Sequence, residues 1–254
     1  MVHIVGAGPG AEDLITLRGA NLLKQADMII YAGSLVNPGL LKMAKETCRI
    51  YDSAKMTLEE VVETVKEAEE KGWMTVRLHT GDPSLYGAIR EQMDAFDEYS
   101  ISYEICPGVS SFCGAAAALR MEYTLPDISQ SVIITRMAGR TGVPERESIR
   151  SFAAHKATMT IFLSAGMLEQ LSRELIAGGY EPDTPAAIVY KATWPDEKVI
   201  VCRVENLAEE AKKAGINRMA LIVAGQAVAQ KHYERSRLYH PEFTTGYRQG
   251  EKNQ

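Results

Sequence analysis

Apolar and polar positions alternate between two periods along the first half of the chain. Met1-Val-His-Ile4, Met28-Ile-Ile-Tyr31, Met74-Thr-Val-Arg-Leu-His79 and Ser102-Tyr-Glu-Ile-Cys106 are short apolar-rich runs that read as strands. Between them, apolar residues fall at helical spacing. Leu58, Val61, Val62, Val65 and Ala68 line one face of a helix that Thr57-Leu-Glu-Glu60 opens as a capping box and Gly72 closes. Leu85 to Tyr99 and the alanine-rich Ser110 to Arg120 read as two further helices. Repeated strand–helix alternation predicts a mostly parallel sheet covered on both faces.

Met121 to Ser131 is polar and contains Pro126, and the domain boundary is placed there. Residues 1–122 form an N-terminal α/β domain on this reading, and residues 123–231 a second one. The second half has strands at 132–135, 159–163, 187–190, 199–202 and 219–223, with helices around 167–177 and 207–214. The strand pair across Trp194-Pro-Asp-Glu197 reads as a hairpin, so the second sheet is expected to be mixed. Beyond Gln230 the periodicity stops, and residues 232–254 read as an arm or tail bearing Tyr233, Tyr239, Phe243 and Tyr247.

Composition narrows the function classes. Hydrophobic residues make up 46% and charged residues 24% of the 254, an ordinary globular balance. No apolar run approaches the roughly 18 residues of a membrane span. No basic segment precedes an apolar core at the N-terminus, so a cytoplasmic protein is expected. The net charge of -5, with no basic block, argues against nucleic acid and membrane partners. Cys48, Cys106, Cys113 and Cys202 form no C-x-x-C pair and read as buried free thiols. The histidines form no cluster, and no metal site is expected.

The stretch VGAGPG, Val5 to Gly10, poses the sharpest question. Gly6-x-Gly8-x-x-Ala11 satisfies the dinucleotide-binding pattern. However, Pro9 has no N–H to offer a phosphate. The second strand ends Tyr31-Ala-Gly-Ser34, without the acid that would hold a ribose, and Asp27 lies at its wrong end. Thr80-Gly-Asp-Pro83 and Pro107-Gly-Val-Ser-Ser111 follow the next two strands. In a parallel sheet these loops share one carboxyl edge, where ligands bind. Asp82 is the charged side chain there. Such a floor suits hydroxyls, an amine or a positive centre better than a triphosphate.

With L-I-T-L-R-G, R-L-H-T-G-D-P, P-G-V-S-S and P-A-A-I-V following VGAGPG in order, the chain resembles the tetrapyrrole (corrin/porphyrin) methylases from Val2 to about Gln230. The resemblance implies S-adenosylmethionine as methyl donor, S-adenosylhomocysteine as product, two α/β domains with an active-site cleft between them, and a homodimer. Tyr31-Ala-Gly-Ser-Leu-Val36, Arg77 to Tyr86 and Ser236 to Phe243 look like the branch that methylates precorrin-4 at C11. Thr80 to Tyr86 is nearer to the form acting on the cobalt complex. Uroporphyrinogen methylases usually carry an aspartate after the tyrosine of the second strand, where this chain has Ala32 and Gly33.

By motif position, the resemblance assigns donor contacts to Pro9, Gly81, Asp82, Leu85, Ser110, Ser111, Ser164, Ala192 and Ala220. Relatives often have methionine where Ser164 stands. Arg136 and Arg140 are the leading candidates for the substrate's carboxylates, because a guanidinium fork holds a carboxylate at two points; Arg18 and Arg77 are weaker ones. Tyr31, His79, Tyr86 and Tyr123 are candidate helpers in proton removal, with no single base singled out. Three alternatives stay open: another methylase of the family, a nicotinamide-binding oxidoreductase, and a binding module without turnover.

Overall fold

In the first half, the three central strands of a five-stranded sheet are apolar and buried on both faces. A computed structural model describes residues 1–231, 233 and 236–250. In chain order the first unit contains β1 (Val2–Gly6), α1 (Leu17–Gln25), β2 (Met28–Tyr31), β3 (Arg49–Asp52), α2 (Leu58–Glu70), β4 (Thr75–His79), α3 (Arg90–Glu98), β5 (Tyr103–Cys106) and α4 (Ser111–Leu119). The strands lie in the order β3-β2-β4-β1-β5, and every pair is parallel. Val2, Ile4 and Ile30 pack against Val61, Val65 and Phe96 of α2 and α3 on one face. Val5, Ile29 and Leu78 pack with Leu23 and Leu40 on the other. Helix α2 carries the expected capping box between Thr57 and Glu60.

The second unit contains β6 (Val132–Arg136), α5 (Ile149–Ala153), β7 (Thr158–Phe162), α6 (Leu168–Gly178), β8 (Pro185–Tyr190), β9 (Lys198–Arg203), α7 (Leu207–Ala214) and β10 (Ala220–Ala224). Its strand order is β6-β7-β10-β8-β9. β6 and β7 are parallel, and β10 runs antiparallel to both β7 and β8, so the sheet is mixed. Helices α5, α6 and α7 cover one face around Met159, Ile161, Leu171, Leu175 and Ile222. The polar segment after α4 is tied to β7. The Thr158 hydroxyl donates to the Tyr123 carbonyl and the Thr158 N–H to the Ser129 hydroxyl, each at 2.9 Å.

Several local readings are corrected. The strand β3 was not expected: its pattern, Arg-Ile-Tyr-Asp, has no buried residue and follows edge-strand sterics rather than core patterning. The helix expected from Leu85 starts at Arg90, because Tyr86 and Ala88 take φ of 58° and 49°. Residues 191–198, expected in the second domain, cluster with Met1–Ala118, while Leu119–Tyr190 clusters with the described residues from Val199 onward. Of the cysteines only Cys106 is buried, and Cys113 is exposed. His232 and Gln254, the ends of the expected arm, lie outside the described residues. Within the arm, Arg248 Nη2 donates to the carbonyls of Leu238, His240 and Phe243, folding the segment on itself. No helix among the described residues is long and apolar enough to cross a membrane.

Phe96 has no exposed surface and its ring lies 6.1 Å from that of Tyr103, centroid to centroid. Phe96→Ala is expected to cost about 3–5 kcal/mol, read from urea denaturation. A cost near zero would mean the α3 face of the sheet does not carry the core described.

Candidate functional site

Three loops of the first unit meet backbone to backbone at the carboxyl edge of its sheet. A Cβ on Gly6 would stand 2.6 Å from both the Gly108 Cα and the Gly81 oxygen, closer than any side chain allows. Gly8 and Gly81 form a bridge, with Gly8 N–H to Gly81 oxygen at 3.2 Å and Gly81 N–H to Gly8 oxygen at 2.9 Å. Both have positive φ, 82° and 60°, which glycine adopts without strain.

Three N–H groups of the glycine turn, those of Ala7, Gly8 and Ala11, are committed to protein acceptors. Ala7 N–H donates to the His79 carbonyl at 2.7 Å, and Ala11 N–H to the Thr193 hydroxyl at 3.0 Å. Pro9 has no N–H at all. The Asn37 side chain holds the Gly10 carbonyl at 2.9 Å, and the Trp194 indole fills the space where a Gly10 Cβ would stand. A pyrophosphate needs converging free N–H groups, so this turn is not a dinucleotide cradle. The nicotinamide-enzyme alternative loses its only motif. Thr193 and Trp194 were missed in the sequence, and nothing local marked them, since their partners lie more than a hundred residues away.

Most of the expected donor-contact residues gather at this edge. Gly81 faces Ser110 and Ser111: a Cβ there would meet Ser110 Cα at 3.5 Å and the Ser111 nitrogen at 3.6 Å. Pro9 and Ala192 both border Gly114 of α4. Leu85 N–H donates to the Asp82 carbonyl at 3.2 Å. The Asp82 carboxylate ties two loops together. One oxygen accepts from the Ser84 N–H at 2.9 Å and from the Ser84 hydroxyl, and the other accepts from Gly108 N–H at 2.8 Å. Burial works to raise its pKa, but the bonds from Ser84 and Gly108 outweigh this and hold it below the usual carboxylate value. Loops 7–11, 80–86 and 107–111 hold no other charged side chain. A negative edge built of backbone fits a donor with a cationic sulfur and sets no like charge against it.

The candidate proton helpers differ in setting. His79 is 3% exposed and its Nε2 has no partner among the described residues. Burial, with the Arg77 charge adding, pushes its pKa down to about 3, so the imidazole is neutral at pH 7. Arg77, a weaker carboxylate candidate, is itself buried, and its guanidinium bonds to Gln92 and to the Ile30 carbonyl. Tyr31 ends β2, half-buried. Tyr86 is 44% exposed in its left-handed turn.

In the second unit, β6, β7 and β8 end, and β10 begins, at one edge of the sheet. Arg136, Ser164 and Ala220 lie there. Ser164 is fully buried and its hydroxyl is in use, accepting from Met137 N–H at 3.0 Å and donating to the Phe162 carbonyl at 2.6 Å. Arg136 closes its own loop through the carbonyls of Met137, Thr141 and Gly142, while Arg140 is exposed. Tyr123 is not brought to this edge. Its carbonyl meets Thr158, the first residue of β7, about 13 Å along the strand from Phe162. Non-glycine residues with positive φ mark the edges of both sheets. Tyr86 and Ala88 follow β4, Leu163 follows β7, Lys191 and Thr193 follow β8, and Met219 precedes β10. Each such backbone costs roughly 1–3 kcal/mol, and such strain concentrates at ligand sites.

The chain is similar to known proteins in sequence and in fold. Residues 1–208 match the family model of the Tetrapyrrole (Corrin/Porphyrin) Methylases. The chain is 50% identical over 251 residues to the cobalt-precorrin-4 C(11)-methyltransferase of Methanocaldococcus jannaschii, covering 99% of this chain and 97% of that one. The X-ray structure of a cobalamin biosynthetic enzyme, cobalt precorrin-4 methyltransferase, matches with a TM-score of 0.87 at 46% identity, covering 89% of this chain and 95% of that one. Uroporphyrin-III C-methyl transferase from Thermus thermophilus, solved in complex with S-adenosyl homocysteine, matches with a TM-score of 0.75 at 26% identity, over 89% and 92% of the two chains.

The buried His79 generates a pH prediction. In the unfolded chain it takes up a proton near pH 6.5, whereas in the folded chain it stays neutral down to about 3. Between those values the unfolded state binds the extra proton, so stability falls as the pH falls, by about 1.4 kcal/mol per pH unit from this residue. Denaturation midpoints at pH 7.5 and 5.5 should converge in His79→Gln relative to the parent. Equal slopes in the two proteins would contradict the buried neutral imidazole.

Proposed function

The chain belongs to the tetrapyrrole (corrin/porphyrin) methylases, and from that premise we propose that it transfers a methyl group from S-adenosylmethionine to C11 of cobalt-precorrin-4, giving cobalt-precorrin-5, in cobalamin biosynthesis. The observation that carries this reading is the end-to-end likeness, in sequence and in fold, to cobalt-precorrin-4 methyltransferases. The charge of the site supports it. The loops at the carboxyl edge of β1, β4 and β5 are backbone-rich and carry the single carboxylate of Asp82.

When bound, S-adenosylmethionine supplies a methyl group already activated on a sulfonium. The protein's work is then to bind, orient and exclude water. Positioning of this kind lowers a barrier by roughly 7–11 kcal/mol in favourable cases. Pro9, Gly81, Asp82, Leu85, Ser110, Ser111 and Ala192 are the residues of the first sheet's edge that would hold the donor. The family pattern adds Ser164 and Ala220. Because the Ser164 hydroxyl is consumed internally, its contribution is backbone and shape rather than a hydroxyl bond. Arg140, exposed beside the loop that Arg136 closes, is the better placed of the two arginines to meet a substrate carboxylate. A buried His79 with its pKa pushed down to about 3 is a weak proton acceptor at pH 7, and no single base is singled out among His79, Tyr31 and Tyr86. The same reading makes the protein a cytoplasmic homodimer with neither nucleic acid nor membrane as partner.

The test is a methyl-transfer assay read by mass spectrometry, with cobalt-precorrin-4, precorrin-4 and uroporphyrinogen III offered separately. One added methyl on cobalt-precorrin-4 is expected. Transfer to uroporphyrinogen III alone would overturn the substrate. Asp82→Ala is expected to weaken S-adenosylhomocysteine binding about tenfold or more, since it frees the two loops that shape the site. Parental affinity in that variant would remove Asp82 from the donor site.

A further inference from the structure

Gln92 stands outside the site as drawn so far, yet it controls one of its loops. Its side chain is 6% exposed. Oε1 accepts from Arg77 Nε at 2.9 Å, and Nε2 donates to the Ala88 carbonyl at 3.0 Å. Arg77 in turn donates from Nη1 to the Ile30 carbonyl at 3.1 Å, and no carboxylate among the described residues pairs with it. A cationic donor on Oε1 polarises the amide and strengthens Nε2–H as a donor. The buried charge of β4 is therefore transmitted through one amide to a single carbonyl in the loop between β4 and α3.

That carbonyl belongs to a residue in an unusual conformation. Ala88 has φ of 49° and Tyr86 has φ of 58°. Gly87 lies between them, packed so closely on the Pro83 carbonyl that no Cβ fits. The sequence pattern favours continuing α3 back to Leu85, and the loop instead folds over on itself. The result displays Tyr86 and fixes Leu85 against Asp82. Something must hold this loop against the helical alternative, and the Gln92 amide is the buried group that reaches it.

We propose that Gln92 is a positioning residue for methyl-donor binding, holding residues 83–89 through the Ala88 carbonyl in the shape that presents Leu85 and Tyr86. The proposal rests on the reading of this edge as the donor site. It does not depend on which tetrapyrrole is methylated.

Gln92→Glu separates positioning from folding. A carboxylate keeps the acceptor for Arg77 and gives that cation a partner, so the core is retained. It also removes the N–H and sets a negative charge against the Ala88 carbonyl. The variant is expected to melt close to the parent. Its dissociation constant for S-adenosylhomocysteine, measured by calorimetry, should rise about tenfold. The Leu85 amide, bonded to the Asp82 carbonyl, should exchange faster with deuterium while those of β1 do not change. A folded variant with parental affinity and parental loop exchange would overturn the proposal alone. A parent protein that binds no S-adenosylhomocysteine would overturn the donor reading, and this proposal with it. Should the variant fail to fold, exchange in the ligand-free parent decides: a protected Leu85 amide supports the held loop, and a freely exchanging one overturns it.

Discussion

The structure depends on a close approach of bare backbone. Gly6, Gly81 and Gly108 end three neighbouring strand–loop units; a Cβ on Gly6 or on Gly108 would clash with the other two, and Gly81 holds a positive φ. Side chains normally keep the loops at a sheet's edge apart. Removing them here lets the turn after β1 hydrogen-bond directly to the turn after β4 and press against the turn after β5. A surface of peptide groups results, with few side chains to obstruct a ligand. The glycines that resemble a phosphate cradle therefore serve loop-to-loop packing, and the Gly8 N–H is spent on it.

Electrostatics follow from the same constraint. A surface built of backbone has little charge, so one carboxylate sets its sign. Asp82 is held ionised by the N–H groups of Ser84 and Gly108 and by the Ser84 hydroxyl. Beneath this edge the charge is of the opposite sign. Arg77 is buried on β4 and meets only neutral acceptors. Its burial lowers its pKa only to about 10, so it remains a cation at pH 7 and suppresses protonation of His79 nearby. The separation matters, because a cationic sulfonium tolerates the carboxylate at the surface and would be repelled by an exposed guanidinium.

How much of this was legible in the sequence depended on the range of the forces involved. Periodicity exposed the parallel sheet and most of its helices, because burial of alternate or every third and fourth residue is a local pattern. A mixed second sheet was expected from the turn at Trp194-Pro-Asp-Glu197, whereas the antiparallel pairings in the structure are those of β10 with β7 and β8. Strand β3 escaped because an edge strand buries no row of apolar side chains. The start of α3 was misread because propensity favours a helix from Leu85, and the opposing interactions come from Gln92, Gly87 and Pro83 acting together. At the site, glycine and proline spacing located the loops, while the partners of their backbone groups lay beyond any local signal. Thr193 on Ala11 and Trp194 on Gly10 join segments about 180 residues apart. Tyr123 looked catalytic by residue type alone, and the topology sets its backbone at the opposite end of β7.

Asp82 shows how a residue picked out by its motif carries a structural task as well. Both carboxylate oxygens already accept hydrogen bonds from protein donors, so little lone-pair capacity is left for a ligand. Its influence on a cationic centre acts through its field, which does not require direct contact. The same bonds set the spacing of the loops after β4 and β5, and hence the position of Gly81 relative to Ser110 and Ser111. Charge and geometry are thus coupled in one side chain. The strain at Tyr86 and Ala88 belongs to the same logic. A loop that must fold away from its preferred helix needs anchors at both ends, and the two available are Asp82 at its start and the Gln92 amide at its close. Protein–protein hydrogen bonds at both ends of the loop thus set the shape of the edge.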